Sequence, residues 1–433
     1  MNTETTYWFN NMPKHWQIKR LKDNIIFQPN VAVPADNAFV TFMPMECLRD
    51  GVIQQREEIY SVIKKNGSYN AFENGDIVIA KVTPCFEHHN MAIAVNLKNG
   101  IGYGTSEIFV LRPQNINTPF LNYYLHSDYI LGVGVSSMAG VGGLKRVNAD
   151  VLKHAILILP PLAEQIKIAN YLDNKISNID LMFQKERKKE RLLLSDLKKA
   201  KVSETVTKGL SPNVRLKDSG IPSIGMIPAH WEVRRLKELF EFGSGLPISK
   251  ADLLETGIPV ISYGQIHAKF NRGTKVEEQL LRYVDPSYLN TNPSSLVNKG
   301  DVIFADTSED LEGCGNCVYI DKQMTLFAGY HTVILKCRKE NPYLAYLFQS
   351  SNWREQIRKR VCGVKLYSIT KTILNSVYIV LPPIEEQIQI VEYLDHECDQ
   401  IEKKCALIDE QIQQLQLLKR ALINEVVTGK KAI

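Results

Sequence analysis

The sequence predicts an α+β fold in which two mixed α/β domains are separated by two long helices that pair as an antiparallel coiled coil, with pseudo-two-fold symmetry. One observation behind this prediction is a duplication, because residues 12–23 return as 227–238 and residues 159–166 return as 381–388. The shifts of 215 and 222 residues are half the chain, far beyond the roughly 20–50-residue period of a solenoid. The other is a long segment in each half without proline or glycine.

The first domain is predicted to be built from short strands and turns. The apolar runs Ile77–Ala80 and Met91–Val95 are typical of strands, and Asn74–Asp76 is typical of a turn. In the second copy, 300–305 matches 75–80, and 343–346 matches the helical 120–123. The sequences between these matches differ strongly, which indicates one fold that recognises two different targets. The predicted boundaries are 1–155 and 216–376 for the domains, and 156–215 and 377–433 for the helical regions.

Each helical region opens on a Pro-Pro pair, which ends a strand and fixes the start of a helix. The first helix is predicted from Leu162 to about Thr207, and the second from Ile384 to about Thr428; at about 1.5 Å per residue each is roughly 65 Å long. A spacing of alternating three and four residues predicts a coiled-coil seam. The predicted seam positions are Leu172, Ile176, Ile179, Phe183, Leu193 and Leu197 in the first helix, and Leu394, Cys398, Ile401, Cys405, Ile408, Ile412 and Leu415 in the second.

A lone helix of this length cannot bury its apolar stripe, and the other copy is the simplest partner. The order domain–helix–domain–helix allows antiparallel pairing, with 208–225 as the returning linker. Two domains on a helical rod suit two short DNA sites, since half-sites are met about 34–36 Å, or multiples of it, apart.

The composition is that of a globular protein with a mild basic excess. Of 433 residues, 44% are hydrophobic and 23% charged, and the net charge is +5, which is compatible with nucleic acid but weak evidence for it. The chain has no apolar run of 18 residues and no signal-peptide pattern at its start. Eight scattered cysteines favour reduced thiols, so we expect a cytoplasmic protein without membrane contact.

Together these features resemble the specificity subunit of type I restriction–modification systems, over essentially the whole chain. The resemblance rests on the His-Trp motif that opens each half and on the Leu-Pro-Pro-x-x-Glu-Gln-Ile motif that opens each helix. Segments similar to the family's target recognition domains are 80–87, 104–107, 142–147, 243–250 and 258–265. The chain departs from the family segment at residues 88–90, so no base preference is carried over from a relative.

The resemblance implies two target recognition domains, each reading one half of a bipartite double-stranded DNA target, and helices that set the unread gap. It implies no catalytic residue, cofactor or metal on this chain. It also implies two methyltransferase subunits that use S-adenosylmethionine, and restriction/translocation subunits that use ATP with Mg²⁺.

Base reading needs side chains with paired donors or acceptors, carried on loops of a rigid scaffold. Each candidate could instead contact phosphate or be a plain surface residue, and the lysines and arginines favour phosphate. The candidates in the first domain are Lys81, Thr83, Glu87, His88, His89, Ser106, Glu107, Lys145 and Arg146. Those in the second are Ser244, Lys250, Tyr263, Gln265, His267, Lys269, Thr307, Ser308, His331, Lys365 and Tyr367.

Other readings of the motifs stay open at this point. The tryptophans of the His-Trp motifs are predicted to be core residues with the histidines as polar neighbours. Cys314 and Cys317 form a lone Cys-x-x-Cys, and a glycine-rich turn with reduced thiols is favoured over zinc. The charge block 185–191 either tracks phosphates, binds the methyltransferase or is a solvated helix face.

Two other functions compete with DNA recognition. A stand-alone methyltransferase or nuclease is disfavoured, because both Pro-Pro pairs follow leucine rather than Asn or Asp and no phosphate-binding Gly-x-x-x-x-Gly-Lys-Ser/Thr loop occurs. A coiled-coil adaptor without sequence-specific DNA reading is the alternative that the helices allow.

Overall fold

The computed structural model describes residues 12–49, 51–54, 56–140, 143–181, 185–361, 363 and 366–433. The chain divides into two compact units, of which unit 1 contains the residues up to Arg187 together with Asp409–Ile433, and unit 2 contains Lys188–Ile408. The predicted seam residue Phe183, the motif residue Gly142 and the candidate Lys365 lie outside the described residues.

Unit 1 contains twelve described strands and five described helices of its own. The strands are β1 Gln17–Arg20, β2 Ile25–Phe27, β3 Phe39–Met43, β4 Leu48–Arg49, β5 Val52–Ile53, β6 Arg56–Ile59, β7 Tyr69–Glu73, β8 Ile77–Ala80, β9 Met91–Ile93, β10 Ile101–Thr105, β11 Ile108–Pro113 and β12 Ile156–Leu159. The helices are α1 Tyr60–Lys65, α2 Thr118–Leu125, α3 Asp128–Ser136, α4 Ala149–Lys153 and α5 Leu162–Ile179, with 3₁₀ turns at Leu21–Asn24, Met45–Cys47 and Lys98–Gly100.

Unit 2 repeats this plan with fourteen described strands. They are β13 Leu216–Asp218, β14 Met226–Pro228, β15 Glu232–Arg235, β16 Phe240–Ser244, β17 Ile258–Ile261, β18 Arg282–Val284, β19 Leu296–Val297, β20 Val302–Ala305, β21 Thr307–Ser308, β22 Cys317–Tyr319, β23 Leu326–Ala328, β24 Thr332–Cys337, β25 Tyr367–Ser368 and β26 Tyr378–Leu381. The helices are α6 Lys185–Lys208, α7 Tyr263–Ile266, α8 Tyr288–Thr291, α9 Tyr343–Leu347, α10 Ser351–Arg358, α11 Lys371–Ser376 and α12 Ile384–Val427. Of these, α6 and α12 belong to both units, since residues 185–187 and 409–427 are part of unit 1. The 3₁₀ turns are Leu236–Glu238, Lys250–Asp252, Glu278–Leu280 and Pro293–Ser295.

The two units share one sheet topology. In unit 1 the strand orders are β1-β12, β2-β11-β8-β9 and β6-β3-β10-β7; in unit 2 they are β15-β26, β16-β24-β20-β22 and β18-β17-β23-β19. The β3–β10 pair of the first unit and the β17–β23 pair of the second are parallel, whereas the other named strand pairs are antiparallel. The two predicted mixed α/β domains are therefore confirmed, one in each half of the chain.

The central strand of each unit is buried on both faces. In β8, Ile77 and Ile79 face one apolar cluster, and Val78 and Ala80 face another. In β20, Val302 and Phe304 face one apolar cluster, and Ile303 and Ala305 face another. Successive side chains of a strand point to opposite faces, which explains why both strands are continuously apolar instead of alternating.

The repeated sequence motifs meet in a clamp within each unit. Trp16 Nε1 donates to Glu164 Oε2 at 2.9 Å, and His15 Nε2 lies 2.8 Å from the second oxygen of that carboxylate. In unit 2, Trp231 Nε1 donates to Glu386 at 2.9 Å, and the His230 imidazole contacts the other oxygen at 2.5 Å. Trp16 and Trp231 are 8% and 1% exposed, so the prediction of core tryptophans with polar histidine neighbours is confirmed.

Neighbouring motif residues tie the helix start to the sheet. Gln165 Nε2 donates to the Pro160 carbonyl at 2.8 Å, and Gln387 donates to that of Pro382 at 2.7 Å. About two turns further along α5, Asp173 accepts a hydrogen bond from the Tyr123 hydroxyl at 2.6 Å. The Tyr346 hydroxyl binds Asp395 in the same way. Each recurring motif thus serves the scaffold, which is why it recurs while the loops differ.

The predicted ends of the long helices agree closely with Leu162, Lys208, Ile384 and Val427, but the first predicted helix is described as two, α5 and α6, and residues 182–184 between them lie outside the described residues. The seam prediction contains one error. Leu394, Cys398, Ile401 and Ile408 are buried, as are Leu172 and Ile176. Leu193 and Leu197, however, are 59% and 46% exposed, so their assignment to the seam was wrong. After the charge block the inward face is continued by Leu194, Lys198 and Val202, because the register moves by one residue there.

Ion pairs join the helix segments inside each unit. In unit 2, Lys198 Nζ lies 2.5 Å from Glu402, and Lys201 contacts Glu397, so residue numbers rise along α6 as they fall along α12. In unit 1, the equivalent pair is Lys419 with Asp180 at 2.7 Å. The ammonium groups of these lysines are paired with carboxylates, so a lysine can occupy a half-buried position of the helix.

None of the described helices combines the length and the hydropathy that a membrane-crossing segment requires.

Candidate nucleic-acid interface

Three segments of unit 1 meet beyond the end of β8. Lys81 N donates to the Glu107 carbonyl at 3.0 Å, Val147 N donates to the Lys81 carbonyl at 2.8 Å, and Thr83 N donates to the Lys145 carbonyl at 3.0 Å. These backbone bonds gather five predicted residues on one surface, which we call platform 1; its members are Lys81, Thr83, Glu107, Lys145 and Arg146.

The side chains of platform 1 form a polar, partly exposed group. Arg146 grips Glu107 side-on, with Nε 2.9 Å from Oε2 and Nη2 2.9 Å from Oε1. The hydrogen bonds from Arg146 hold the pKa of Glu107 below its ordinary value, so the carboxyl stays ionised. Thr83 Oγ1 donates to the Gly143 carbonyl at 2.9 Å, and the Lys81 ammonium lies 5.7 Å from the Phe109 ring centroid.

The remaining unit 1 candidates fall into two groups. Glu87, His88 and Ser106 are exposed. His89 instead turns inward, with a φ of 55°, and its ring stacks on His126 at 5.7 Å between centroids. His89 therefore packs against His126 within unit 1 and is half-buried.

The two stacked histidines predict a pH dependence for unit 1. His126 Nδ1 donates to the Asn122 carbonyl at 2.8 Å. Burial lowers the pKa of His126 to about 4 and also lowers that of His89. Below about pH 6.5 the unfolded chain binds protons that the folded unit excludes, so stability present at pH 7 is expected to fall by about 3 kcal/mol towards pH 4.

The measurement is urea unfolding of the chain between pH 7 and pH 4, with hydrogen exchange as the readout that reports the stability of unit 1 separately. His126→Gln, which keeps a donor for Asn122, should flatten the pH dependence. The exposed His88→Gln is the matched control and should leave it unchanged. An undiminished loss of stability in His126→Gln would contradict the assignment.

Unit 2 assembles the same three segments with the same backbone bonds. Asp306 N donates to the His331 carbonyl at 3.1 Å, and Ile369 N donates to the Asp306 carbonyl at 2.7 Å. Strands β21 and β25 pair Thr307 with Ser368 and Ser308 with Tyr367. We call this surface platform 2; its members are Asp306, Thr307, Ser308, His331, Tyr367 and Ser368.

The two platforms place chemically different side chains at equivalent positions. Residues 81 and 306 each follow the central strand, and residues 107 and 331 each precede the next strand of the sheet. A lysine and a glutamate occupy these positions in unit 1, whereas unit 2 has an aspartate and a histidine. Arg146 of platform 1 corresponds to Ser368, since each pairs with the second residue after the central strand.

Aromatic rings extend platform 2. The Tyr263 ring lies edge-on to His331, with centroids 5.3 Å apart, and also contacts His267 at 6.2 Å. His331 has a φ of 54°, a conformation that is uncommon outside glycine and that directs its exposed ring beside Asp306, with Nδ1 3.4 Å from Oδ1. Such backbone strain in a rigid scaffold is typical of functional positions.

Hydrogen bonds fix the tautomer of His267. Its Nε2 lies 2.8 Å from the Thr307 carbonyl, which can only accept, so Nε2 carries the proton. Its Nδ1 therefore accepts from the Asn316 amide at 3.1 Å, and Asn316 in turn accepts from Arg354 at 2.5 Å. Both ring nitrogens of His267 are thus hydrogen-bonded within unit 2, so this side chain supports platform 2 and has no free nitrogen for a base.

Several other unit 2 candidates have internal roles. Thr307 and Ser308 are 8% and 2% exposed, and their hydroxyls donate to Asp306 and to the Asp310 carbonyl. Gln265 accepts a hydrogen bond from Ser262 N at the start of α7. Because Thr307 and Ser308 are buried, their hydroxyls are not presented for base contact, whereas Gln265 is half-buried and its role stays a prediction.

Ser244, Lys250 and Lys269 are exposed. The Ser244 hydroxyl accepts from Lys371 at 2.9 Å, and no hydrogen bond or ring contact of the described residues links Lys250 or Lys269 to platform 2.

The cysteine pair lies in the core of unit 2. Cys314 and Cys317 are buried, and burial raises the pKa of the Cys317 thiol to about 12. Among the described residues, no three His, Cys, Asp or Glu side chains are grouped so as to hold a metal ion.

The sequence prediction missed Asp306 and Ser368. An alignment of the two copies through Gly75 and Gly300 would have placed Asp306 opposite Lys81. An alignment through the Leu-Pro-Pro motifs, whose shift is 222 residues, would likewise have placed Ser368 opposite Arg146.

Both halves of the sequence match one protein family. Residues 13–191 and 228–416 match a family model described as the type I restriction modification DNA specificity domain. The chain is 24% identical over 431 residues to the type I restriction enzyme MjaVIII specificity subunit of Methanocaldococcus jannaschii, over 97% of this chain and 93% of that one. It is 33% identical over 162 residues to the type I restriction enzyme EcoEI specificity subunit of Escherichia coli, over 36% of this chain and 27% of that protein.

Among solved structures, a chain from a type I R-M system, described in terms of complex assembly and conformational transition, superimposes with a TM-score of 0.70. It is 18% identical, over 97% of this chain and 99% of that one, so the likeness concerns the fold.

Proposed function

Because the chain belongs to the type I restriction modification DNA specificity family, we propose that it is the DNA-recognition subunit of a type I restriction–modification complex. Each unit would read one half of a bipartite double-stranded DNA target, with unread base pairs between the halves. The chain itself would carry out no reaction.

One observation carries this proposal: the two units hold the same backbone platform and equip it with different polar side chains. A protein that needed two copies of one activity would keep the chemistry of both sites alike. Platform 1 has Lys81, Glu107 and Arg146 where platform 2 has Asp306, His331 and Ser368. Paired donors and acceptors of this kind suit the edges of different base pairs in the major groove.

The catalytic work is assigned to partner subunits. Two methyltransferase subunits would supply S-adenosylmethionine chemistry, and restriction/translocation subunits would use ATP and Mg²⁺. A matching surface occurs twice on this chain, since Leu162 and Ile166 on α5 are 56% and 43% exposed, and Ile384 and Ile388 on α12 are 63% and 53% exposed. Residues four apart lie on one helix face, so each pair offers one apolar contact for one methyltransferase subunit.

The helices are proposed to act as the spacer between the half-sites. The antiparallel coiled coil and its pseudo-two-fold symmetry belong to this proposal, and the ion pairs of Lys198 and Lys419 with Glu402 and Asp180 support it. The proposed place of action is the cytoplasm.

The experiment is a methylome. The chain is produced with its cognate methyltransferase in a host without DNA methylation, and the genome is sequenced by a method that detects modified bases. The expected result is a single bipartite motif with a fixed unread gap. The methyltransferase alone is the control and should give no such motif. A soluble complex that methylates no specific sequence would contradict the proposal and favour the coiled-coil adaptor.

A further inference from the structure

The arginine of platform 1 is held on one edge and open on the other. Glu107 occupies Nε and Nη2 of Arg146, both at 2.9 Å, and the Arg146 side chain is 45% exposed. A guanidinium has five N–H groups in one plane, of which this side-on grip uses one on each of the two nitrogens. The end-on edge, with one N–H on each of the two terminal nitrogens, has no hydrogen-bond partner among the described residues.

Two parallel donors in a plane match the acceptors O6 and N7 of guanine. An arginine whose plane is already fixed by a carboxylate loses less side-chain freedom when it binds. We propose that Arg146, oriented by Glu107, specifies a guanine in the half of the target that unit 1 reads. This inference rests on the proposed function and adds the base and the residue that reads it; Glu107 is a positioning residue.

Among its described residues, platform 2 has no equivalent of this pair. Its corresponding positions are Ser368 and His331, with Asp306 beside the histidine. The proposed reading of guanine by Arg146 therefore concerns the half of the target that unit 1 reads. The other half of the motif is then an internal control in every experiment on Arg146.

A phosphate contact is the rival explanation for an exposed arginine. Phosphate contacts position a protein without reading sequence. Lysine replaces arginine well as a point charge, but it cannot supply the planar pair of donors that guanine needs. The substitution Arg146→Lys therefore separates the two roles, and it leaves the exposed site folded.

The test is the methylome of the complex with Arg146→Lys, Arg146→Ala, Glu107→Gln and His331→Ala. The wild-type motif should contain a G·C pair in one half at which Arg146→Lys and Arg146→Ala accept other pairs. Discrimination at that position should fall about 5- to 150-fold, with the other half unchanged. Glu107→Gln should relax the same position more weakly, and His331→Ala should alter only the opposite half.

Arg56→Ala is the matched control. Arg56, on β6, is an exposed arginine of unit 1 that pairs with Glu46 at 3.5 Å; among the described residues no hydrogen bond or ion pair links it to platform 1, and its loss should leave the motif intact. The inference is overturned if Arg146→Lys keeps every position of the motif and Arg146→Ala lowers methylation equally at all sites. A wild-type complex without any bipartite motif would instead overturn the proposed function.

Discussion

Replacing Trp231 by alanine is expected to lower the free energy of unfolding of unit 2 by about 3–5 kcal/mol. The indole is 1% exposed, and its Nε1 donates to Glu386 at 2.9 Å. Gly209, just after the end of α6, approaches the ring so closely that an added Cβ would lie 3.1 Å from it. The substitution would therefore open a cavity between the start of β15, the start of α12 and the end of α6.

The measurement is native-state hydrogen exchange, which reports the stability of each unit separately. Trp231→Phe is the matched control, because it retains most of the apolar contact and removes the hydrogen bond to Glu386; we expect a loss of about 1–2 kcal/mol. Trp16→Ala should act on unit 1 in the same manner. If Trp231→Ala lowered the free energy of unfolding of unit 2 by less than about 1 kcal/mol, the contact of Trp231 with Glu386 and Gly209 would not be a major source of stability.

The clamp also explains how much of the fold the sequence could predict. The His-Trp and Glu-Gln motifs, the Pro-Pro helix starts and the buried strands are local patterns, and each was located correctly. That Trp16 and Glu164 bind each other was not predictable, because 148 residues separate them and their contact depends on the tertiary fold.

The error at Leu193 and Leu197 has a physical reason as well. Leucines at heptad spacing usually mark a buried stripe, but here the inward positions include Lys198 and Lys201, whose charges are satisfied by Glu402 and Glu397. A single helix sequence does not show which lysines have an acidic partner on another helix. Similarly, the candidate residues were predicted by type and loop position, which gathered platform 1 but did not reveal that Ser308 and Gln265 are engaged internally.

Removing the buried carboxylate of Asp76 is expected to destabilise unit 1 by about 3 kcal/mol. The Asp76 side chain is 2% exposed, and its oxygens accept from Arg112 Nε at 2.7 Å, Arg112 Nη2 at 2.8 Å and the backbone N–H of Glu73 at 2.8 Å. Breaking a buried ion pair from one side costs about 3–5 kcal/mol, because the remaining charge loses its partner. The lower end applies here, since Arg112 is 25% exposed and keeps Glu73 as a second partner at 2.6 Å.

The equivalent residue of unit 2 sharpens this prediction. Asp301 occupies the same turn but accepts only backbone donors, from Asn298 at 2.9 Å and Cys337 at 2.9 Å. Asp76→Asn removes one of the two carboxylates that pair with Arg112, whereas the hydrogen-bond partners of Asp301 among the described residues are backbone N–H groups and include no cation. Hydrogen exchange should therefore show the larger loss for Asp76→Asn in unit 1, and the exposed pair broken by Arg56→Ala should cost at most about 1 kcal/mol. Equal losses for the two asparagine variants would mean that the turn, and not the ion pair, sets the stability of unit 1.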